Sequence, residues 1–329
     1  MGTGTARVSV IIVSFNTKHL LGRCIDSVQA SVGGLVCETI VVDNGSSDGS
    51  ADYIRADYPS VVLIESKHNL GFAKANNLGF ERASGDYIVL LNSDAFPVGD
   101  SLKVAVELMD GHPETGLAGG RLIGENGGWQ PSARAFPGII NDALTISGLA
   151  ARYPRSRIFG RPDMTYVDQS RDLYCDWVPG AFTIIRRSAL ENTGFFDERF
   201  FLYYEEVDLC RRMKKAGWKV AYWPAVAVIH IGGASTAMFS RKLVTKSGMQ
   251  MSLWRLQSQY LYYRKHHGPV KAFASMVFEK AFNRLRLLRN AAGSPEKAEE
   301  SRVMLDLIVQ AWKNTRGGRE SPPRPWKRV

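Results

Sequence analysis

Apolar, β-branched runs punctuate the first hundred residues at short intervals, and each ends in polar positions. Residues 8–15 (VSVIIVSF) form a continuous apolar run, the pattern of a strand buried on both faces of a parallel sheet. Leu20, Leu21, Cys24, Ile25 and Val28 follow at helical spacing and predict a helix with these residues on its inner face, capped by Asn16 and Thr17. A second strand is predicted over 38–42, ending at Asp43. A Gly/Ser/Asp turn (NGSSDGS) then leads to a helix around 51–57, a strand over 61–64, a helix over 73–83 and a strand over 87–91 that runs into Asn92-Ser93-Asp94. Strand and helix thus alternate in the manner of an α/β fold with a doubly wound, mostly parallel sheet and helices on both faces. Such sheets bind ligands at the carboxyl ends of their strands. Here those ends carry Ser14 and Asn16, Asp43 and Asn44, and Asn92, Ser93 and Asp94.

The pattern loosens over 119–172, which is rich in Gly, Pro and Arg and reads as loops over the site. Strand character returns at 177–187 (WVPGAFTIIRR). A helix is expected from about 205 to 216, then two short strands over 218–223 and 225–230. Beyond Arg241 the chain reads as helical, basic and aromatic. It breaks at 293–296, resumes as a helix over 301–312 and ends in a frayed tail from 317 onward.

With 45% hydrophobic and 22% charged residues, the 329-residue chain has the composition of a globular protein, so disorder is expected only at its ends. The net charge of +10 changes the picture because much of it is local: residues 241–290 hold eleven Lys and Arg against one acid, Glu279. A basic face of this kind suits nucleic acid, anionic lipid or a diphosphate. The four cysteines form no CxxC pair and fit no zinc module, which predicts reduced thiols in a cytoplasmic protein. No secretory segment and no spanning apolar run is evident, so the chain is expected to stay inside the cell.

The chemistry sits at the strand ends. Asp43 can accept hydrogen bonds from a nucleotide base or ribose, or can close an Asx turn. A dinucleotide enzyme would also carry an acid there, but it needs a glycine-rich turn after the first strand. This chain has SFNTKHLLG, with Lys18 and His19 where small residues are required. Asp94, in an Asn-Ser-Asp turn, can bind a hard divalent cation that also holds substrate phosphates, although such a tripeptide alone is more often a turn. Glu205, Glu206 and Asp208 suit the positive end of a helix dipole. They also follow an aromatic run (Phe195, Phe196, residues 200–204), beside which low water content raises a carboxylate's pKa and prepares a general base. Asp208 and Arg212, four apart, can pair structurally. His230 ends an apolar strand before a glycine turn, as a metal ligand or as a hydrogen-bonded structural histidine.

The order of the segments is more specific than any one of them. VSVIIVSFN, VVDNGSSDGS, NLGFAKANNLGF, YIVLLNSDA, VPGAFTIIRR, GFFDERFFLYYEEVDLCRRMKKAGWKV and VIHIGG, in that sequence over 8–235, resemble glycosyltransferase family 2 of the GT-A fold, and in particular its bacterial rhamnosyltransferase-like members. The resemblance implies an inverting, metal-dependent transferase that moves a sugar from a nucleotide diphosphate to an acceptor hydroxyl. Asp43 would contact the base, with Ser14 and Asn16 nearby, and Asn69, Gly71 and Asn76 would shape the donor pocket. Asn92, Ser93 and Asp94 stand at the family's metal motif, with Asn in place of its first Asp, which leaves Asp94 as the principal carboxylate for Mg or Mn. Glu205 and Glu206 occupy the position that supplies the base, Glu206 being preferred. His230 resembles a histidine that completes the metal site in relatives, and Trp177, Gly180 and Ala181 lie where the acceptor approaches.

The chain is expected to divide into a catalytic domain over 1–240 (a nucleotide-sugar half over 8–118 and an acceptor half over 119–240), a basic amphipathic extension over 241–315 and a tail over 316–329. The expected donor is dTDP-rhamnose, with UDP-linked galactofuranose, glucose or N-acetylglucosamine as alternatives. The expected acceptor is a glycan or a polyprenyl-diphosphate-linked sugar. Phe273, Val277, Phe278, Ala281, Phe282, Leu285 and Leu288 recur near helical spacing among cations, a pattern for lying in an anionic membrane interface on the inner face of the cell membrane, or for core packing or a homodimer. No nucleic-acid module is recognisable. Two rivals stand beside this reading. A sugar nucleotidyltransferase should carry a Gly-rich basic loop after the first strand, which SFNTKHLLG lacks. An inactive glycosyltransferase-like scaffold would tolerate loss of both Asp94 and Glu206.

Overall fold

The computed structural model of the chain describes residues 7–232 and 245–322, apart from the side chains of residues 246 and 247. The described residues divide into two compact units. One comprises residues up to Leu70, Lys74–Phe196 and Glu206 onward to 232; the other comprises Gly71–Ala73, Asp197–Glu205 and 245–322.

The alternation read from the first hundred residues forms β1 (Val8–Ser14), α1 (Lys18–Ser31), β2 (Cys37–Asp43), α2 (Ser50–Asp57), β3 (Val62–Glu65), α3 (Phe72–Arg82) and β4 (Tyr87–Asn92). After these come β5 (Ala95–Pro97), α4 (Ser101–Gly111), β6 (Thr115–Ile123), β7 (Trp129–Gln130), α5 (Ile139–Ile146), α6 (Leu149–Arg152), β8 (Leu173–Tyr174), β9 (Phe182–Arg186), α7 (Arg187–Thr193), α8 (Glu205–Lys215) and β10 (Lys219–His230). All strands join one ten-stranded sheet, ordered β3-β2-β1-β4-β9-β6-β10-β5, with β7 on β6 and β8 on β10. The β3-β2-β1-β4 half is parallel, and β9 enters antiparallel between β4 and β6.

Both faces of β1 are covered, which is why its sequence is apolar throughout. Val8, Val10 and Ile12 join the core that includes Leu21, Cys24, Ile25 and Val28 of α1. On the other face Ile11 lies so near Gly79 of α3 that a Cβ there would stand 2.5 Å from its Cγ2.

Three local readings are corrected. The two strands expected over 218–230 are one, β10, whose pairing with β6 shifts register between Trp223 and Ala227. Pro224 lies in that interval; it has no N–H to give the ladder, and the irregularity absorbs it. The stretch 119–172 is less irregular than its composition suggests, since it completes β6 and adds β7, α5 and α6. Thr17 is the N-cap residue of α1, but neither its side chain nor that of Asn16 caps the helix.

The second unit is helical, as its sequence predicts. It contains α9 (Lys246–Asn290) and α10 (Pro295–Asn314), the latter starting with proline in its first turn. Gly268, at φ +81°, interrupts α9 just before Pro269. Leu253, Leu256 and Tyr260 of α9 pack with Leu307, Ile308 and Ala311 of α10. Segment 197–205 is held on α9: Ser258 donates to the Leu202 carbonyl at 2.8 Å, Lys265 pairs with Asp197 at 2.8 Å, and the Phe201 and Trp254 rings lie 4.7 Å apart. After α10, Arg319 and Glu320 donate their backbone N–H groups to the Thr315 carbonyl; the rest of the expected tail, 323–329, lies outside the described residues. No helix among the described residues is long and apolar enough to cross a membrane. All four cysteines are free thiols.

Candidate active site

The parallel register lines up the strand ends. Ser14 stands opposite Asp43, and Val13 stands opposite Asn92. Three candidate segments, far apart in sequence, therefore meet along the carboxyl edge of β1, β2 and β4, where a doubly wound sheet presents its ligands.

Asp43 closes the Asx turn that its sequence allowed and leaves one oxygen over. Its Oδ1 accepts from the backbone N–H groups of Gly45 (3.1 Å) and Ser46 (2.9 Å), an Asx turn. Its Oδ2 is buried and has no hydrogen-bond partner among the described residues, an arrangement that costs energy unless something else supplies a donor. Asn16 adopts φ +54°, a left-handed conformation that asparagine tolerates, and its Oδ1 accepts from the Ser47 N–H at 2.8 Å. These contacts fix the NGSSDGS turn against the end of β1. Asn44 and Asn69 join this corner: Asn44 Nδ2 donates to Asn69 Oδ1 at 3.1 Å, and Asn44 Oδ1 accepts from the Leu70 N–H at 2.7 Å. Asn76 is buried on α3. Gly71 has φ +82°, and a Cβ there would collide with the carbonyl oxygen of Phe201, which accepts from the neighbouring Phe72 N–H at 2.7 Å.

The Asn92-Ser93-Asp94 turn is tied down from three sides. Asn92 N–H donates to the Ala181 carbonyl at 3.0 Å, which brings the segment Gly180-Ala181 beside the end of β4. The Ser93 hydroxyl accepts from Thr17 at 2.9 Å, and Thr17 also meets Ser14 at 3.0 Å. Thr17 is thus a strut between the ends of β1 and β4, a role hidden by its reading as a helix cap. Asp94 is almost fully buried, and its Oδ1 lies 3.6 Å from His230 Nε2. The antiparallel pairing of β5 with β10 puts Ala95 opposite His230 and so creates this approach.

Gln130 decides which nitrogen of His230 is bare. Its Nε2 donates to the His230 carbonyl at 2.8 Å, which turns its Oε1 toward Nδ1, also at 2.8 Å. Nδ1 therefore carries the proton, and the lone pair of Nε2 faces Asp94. Burial lowers the imidazole's pKa, against the opposing pull of Asp94, and favours the neutral ring. Sequence reading missed Gln130 because a two-residue strand in a Gly-rich stretch has no periodicity.

α8 carries the acids. Tyr203 and Tyr204, immediately before it, both have positive φ (69° and 68°), a strained approach of the kind that persists at functional sites. Glu205 is buried. Glu206 Oε2 is buried without a hydrogen-bond partner among the described residues. Burial raises the Glu206 pKa, and the positive charge of Arg134 works against that rise. Arg134 is placed by its ion pair with Asp163 (3.2 Å) and lies over the Trp177 ring, 5.1 Å from its centroid. Trp177 is pinned by its Nε1 donating to the Ala135 carbonyl at 2.9 Å. Asp208 is fully buried and paired with Arg212 at 2.8 Å, the structural role its spacing indicated; Arg212 also donates to the carbonyls of Thr193, Gly194 and Phe195.

The arrangement offers a carboxylate facing a bare imidazole nitrogen, an unsatisfied carboxylate oxygen at the carboxyl edge of the sheet, and a carboxylate of raised pKa near an arginine. Known proteins carry the same frame. A mannosyltransferase from Pyrobaculum calidifontis, solved in complex with GDP-Man and Mn2+, superposes with a TM-score of 0.52 at 17% identity over 97% of this chain and 89% of that one. An N-acetylglucosaminyl-diphospho-decaprenol L-rhamnosyltransferase of Mycobacterium tuberculosis is 29% identical over 242 residues, 69% of this chain and 76% of that protein. The rhamnosyltransferase WbbL of Escherichia coli K12 is 25% identical over 264 residues, 78% of this chain and 92% of that protein. The model of glycosyl transferase family 2 matches residues 9–194, more than half of the sequence, and the chain belongs to that family as a glycosyltransferase of the GT-A fold.

Proposed function

We propose that the protein transfers rhamnose from dTDP-rhamnose to a hydroxyl of a sugar carried on a polyprenyl diphosphate, at the inner face of the cell membrane, with inversion at the anomeric carbon. The rhamnosyltransferase activities of the two relatives support the sugar, and the decaprenyl diphosphate in the name of one supports the acceptor class. The observation that carries the transfer chemistry is Asp94 Oδ1 facing the unprotonated Nε2 of His230 at 3.6 Å.

A carboxylate oxygen beside an imidazole nitrogen is a donor set that fits Mn2+ and admits Mg2+. Among the described residues no group of three or more His, Cys, Asp or Glu side chains forms a complete cage, so diphosphate oxygens and water would fill the remaining positions. Asp94 and His230 would hold the cation, which when bound offsets charge on the departing diphosphate. Asp43 Oδ2 receives a donor group of the nucleotide, with Ser14, Asn16, Asn69 and Asn76 fixing the surrounding corner. Glu206 takes the proton of the acceptor hydroxyl while the hydroxyl oxygen bonds to the anomeric carbon and the nucleoside diphosphate leaves on the opposite side. Its raised pKa makes it a stronger base than an exposed carboxylate. Trp177, Gly180 and Ala181 line the acceptor's approach, and positioning supplies much of the acceleration.

Thermal-shift titration with dTDP, UDP and GDP, with and without Mn2+ or Mg2+, tests the donor, because a ligand of the native state must stabilise it. A metal-dependent shift with dTDP, lost in Asp94→Ala, is expected. Glu206→Gln should keep that shift and lose transfer by about 10²–10⁴-fold. A shift with UDP alone reassigns the donor to galactofuranose, glucose or N-acetylglucosamine. No shift with any nucleotide, together with a cellular function that survives both substitutions, makes the protein a scaffold.

A further inference from the structure

Residues 269–290, the part of α9 beyond Gly268, are amphipathic in the inverted sense. Ala272, Ser275, Glu279 and Asn283, at spacings of three and four, are all buried, so the inward face is mostly polar. The preceding part of the same helix meets it: Gln259 donates to Ser275 at 3.0 Å, and Arg255 pairs with Glu279 Oε1 at 3.4 Å, while Glu279 Oε2 has no hydrogen-bond partner among the described residues. The large apolar residues point the other way. Val270, Val277, Leu285 and Leu288 are 77%, 44%, 67% and 74% exposed and fall on one stripe about 27 Å long at 1.5 Å per residue, while Phe273 at its margin leans on the Trp312 ring, 5.9 Å between centroids. Scattered exposed leucines need no explanation, but a continuous apolar stripe opposite a buried polar face marks a surface that something covers.

The charges beside the stripe say what covers it. Lys271, Lys280, Arg284 and Arg289 lie between or beside the apolar positions, and none forms an ion pair among the described residues. The one acid of the segment, Glu279, faces inward. A second copy laid on this face would set four cations against four with no acid between them. An anionic surface would complement all four while burying the stripe. No helix among the described residues is long and apolar enough to span a bilayer, and this amphipathic segment would lie flat.

We propose that the outer face of residues 269–290 is a docking surface for anionic lipid, with Val277, Leu285 and Leu288 entering the acyl boundary and Lys280 and Arg284 meeting lipid phosphates. The proposal goes beyond the transferase reading and depends on neither the sugar nor the acceptor.

Flotation of the full chain with vesicles tests it, using phosphatidylcholine alone and phosphatidylcholine mixed with phosphatidylglycerol. Binding to the anionic vesicles, weakened by salt, is expected, with little on the neutral ones. Leu285→Gln with Leu288→Gln, and separately Lys280→Glu with Arg284→Glu, should each lower anionic-vesicle binding by about tenfold or more. Both pairs should leave the melting temperature and the dTDP-dependent shift unchanged. A lost nucleotide shift in the unsubstituted protein would count against the proposed function without touching the vesicle result. The lipid proposal is overturned if the unsubstituted protein ignores anionic vesicles or if both variants float as well as it does. It is overturned equally if sedimentation finds a dimer that the leucine variants dissociate, since the occupant is then a second copy.

Discussion

Gln130 grips His230 at two points, accepting from the ring Nδ1 and donating to the backbone carbonyl of His230, each at 2.8 Å. A side chain from a two-residue strand thereby sets both the tautomer and the orientation of the imidazole that faces Asp94. In the proposed cation site, a partner of this kind would tune the ligand's basicity and its aim.

Replacing Gln130 with Leu should therefore act on the cation and leave the fold in place. The Mn2+ concentration that half-activates transfer is expected to rise by about 10–100-fold, with dTDP-rhamnose KM at saturating metal nearly unchanged. Equal metal response in the two proteins, measured by activation titration, would remove Gln130 from the site.

The pH dependence of transfer should report Glu206. A base works only when deprotonated, and burial raises the pKa of this carboxyl. The acid limb of kcat/KM is therefore expected above the ordinary carboxylate range of about 4–4.5. Arg134 counters the rise, so Arg134→Met should move the limb to still higher pH, whereas a purely structural Arg134 would lower the plateau and leave the limb where it is.

Gly71 is irreplaceable for two separable reasons, its positive φ and its closeness to the Phe201 carbonyl. Gly34 also has positive φ (+85°) but opens onto empty space. Alanine at Gly34 should cost about 1–2 kcal/mol, the price of a left-handed L-residue. Alanine at Gly71 should cost clearly more in urea unfolding, because the Phe72–Phe201 hydrogen bond must also yield. Equal losses at the two positions would mean that the close approach relaxes freely.

Local pattern alone determined the first four strands, their helices and the polar groups at their ends. A doubly covered strand must be apolar at every position, and a change to polar residues marks where it leaves the sheet, so VSVIIVSF and YIVLL announce both their burial and their site-bearing ends. Residue order likewise carried the resemblance that made the acids at 205 and 206 candidates for the base. The helical pattern of 270–288 was also visible, but a period of 3.6 shows that a helix has two faces and not which one turns outward. Only packing against Arg255 and Gln259 put the polar face inside. In the same way, no local signal joins Asp94, Gln130 and His230. Their meeting depends on β5, β7 and β10 entering one sheet in a particular register, and register is a property of the assembled strands.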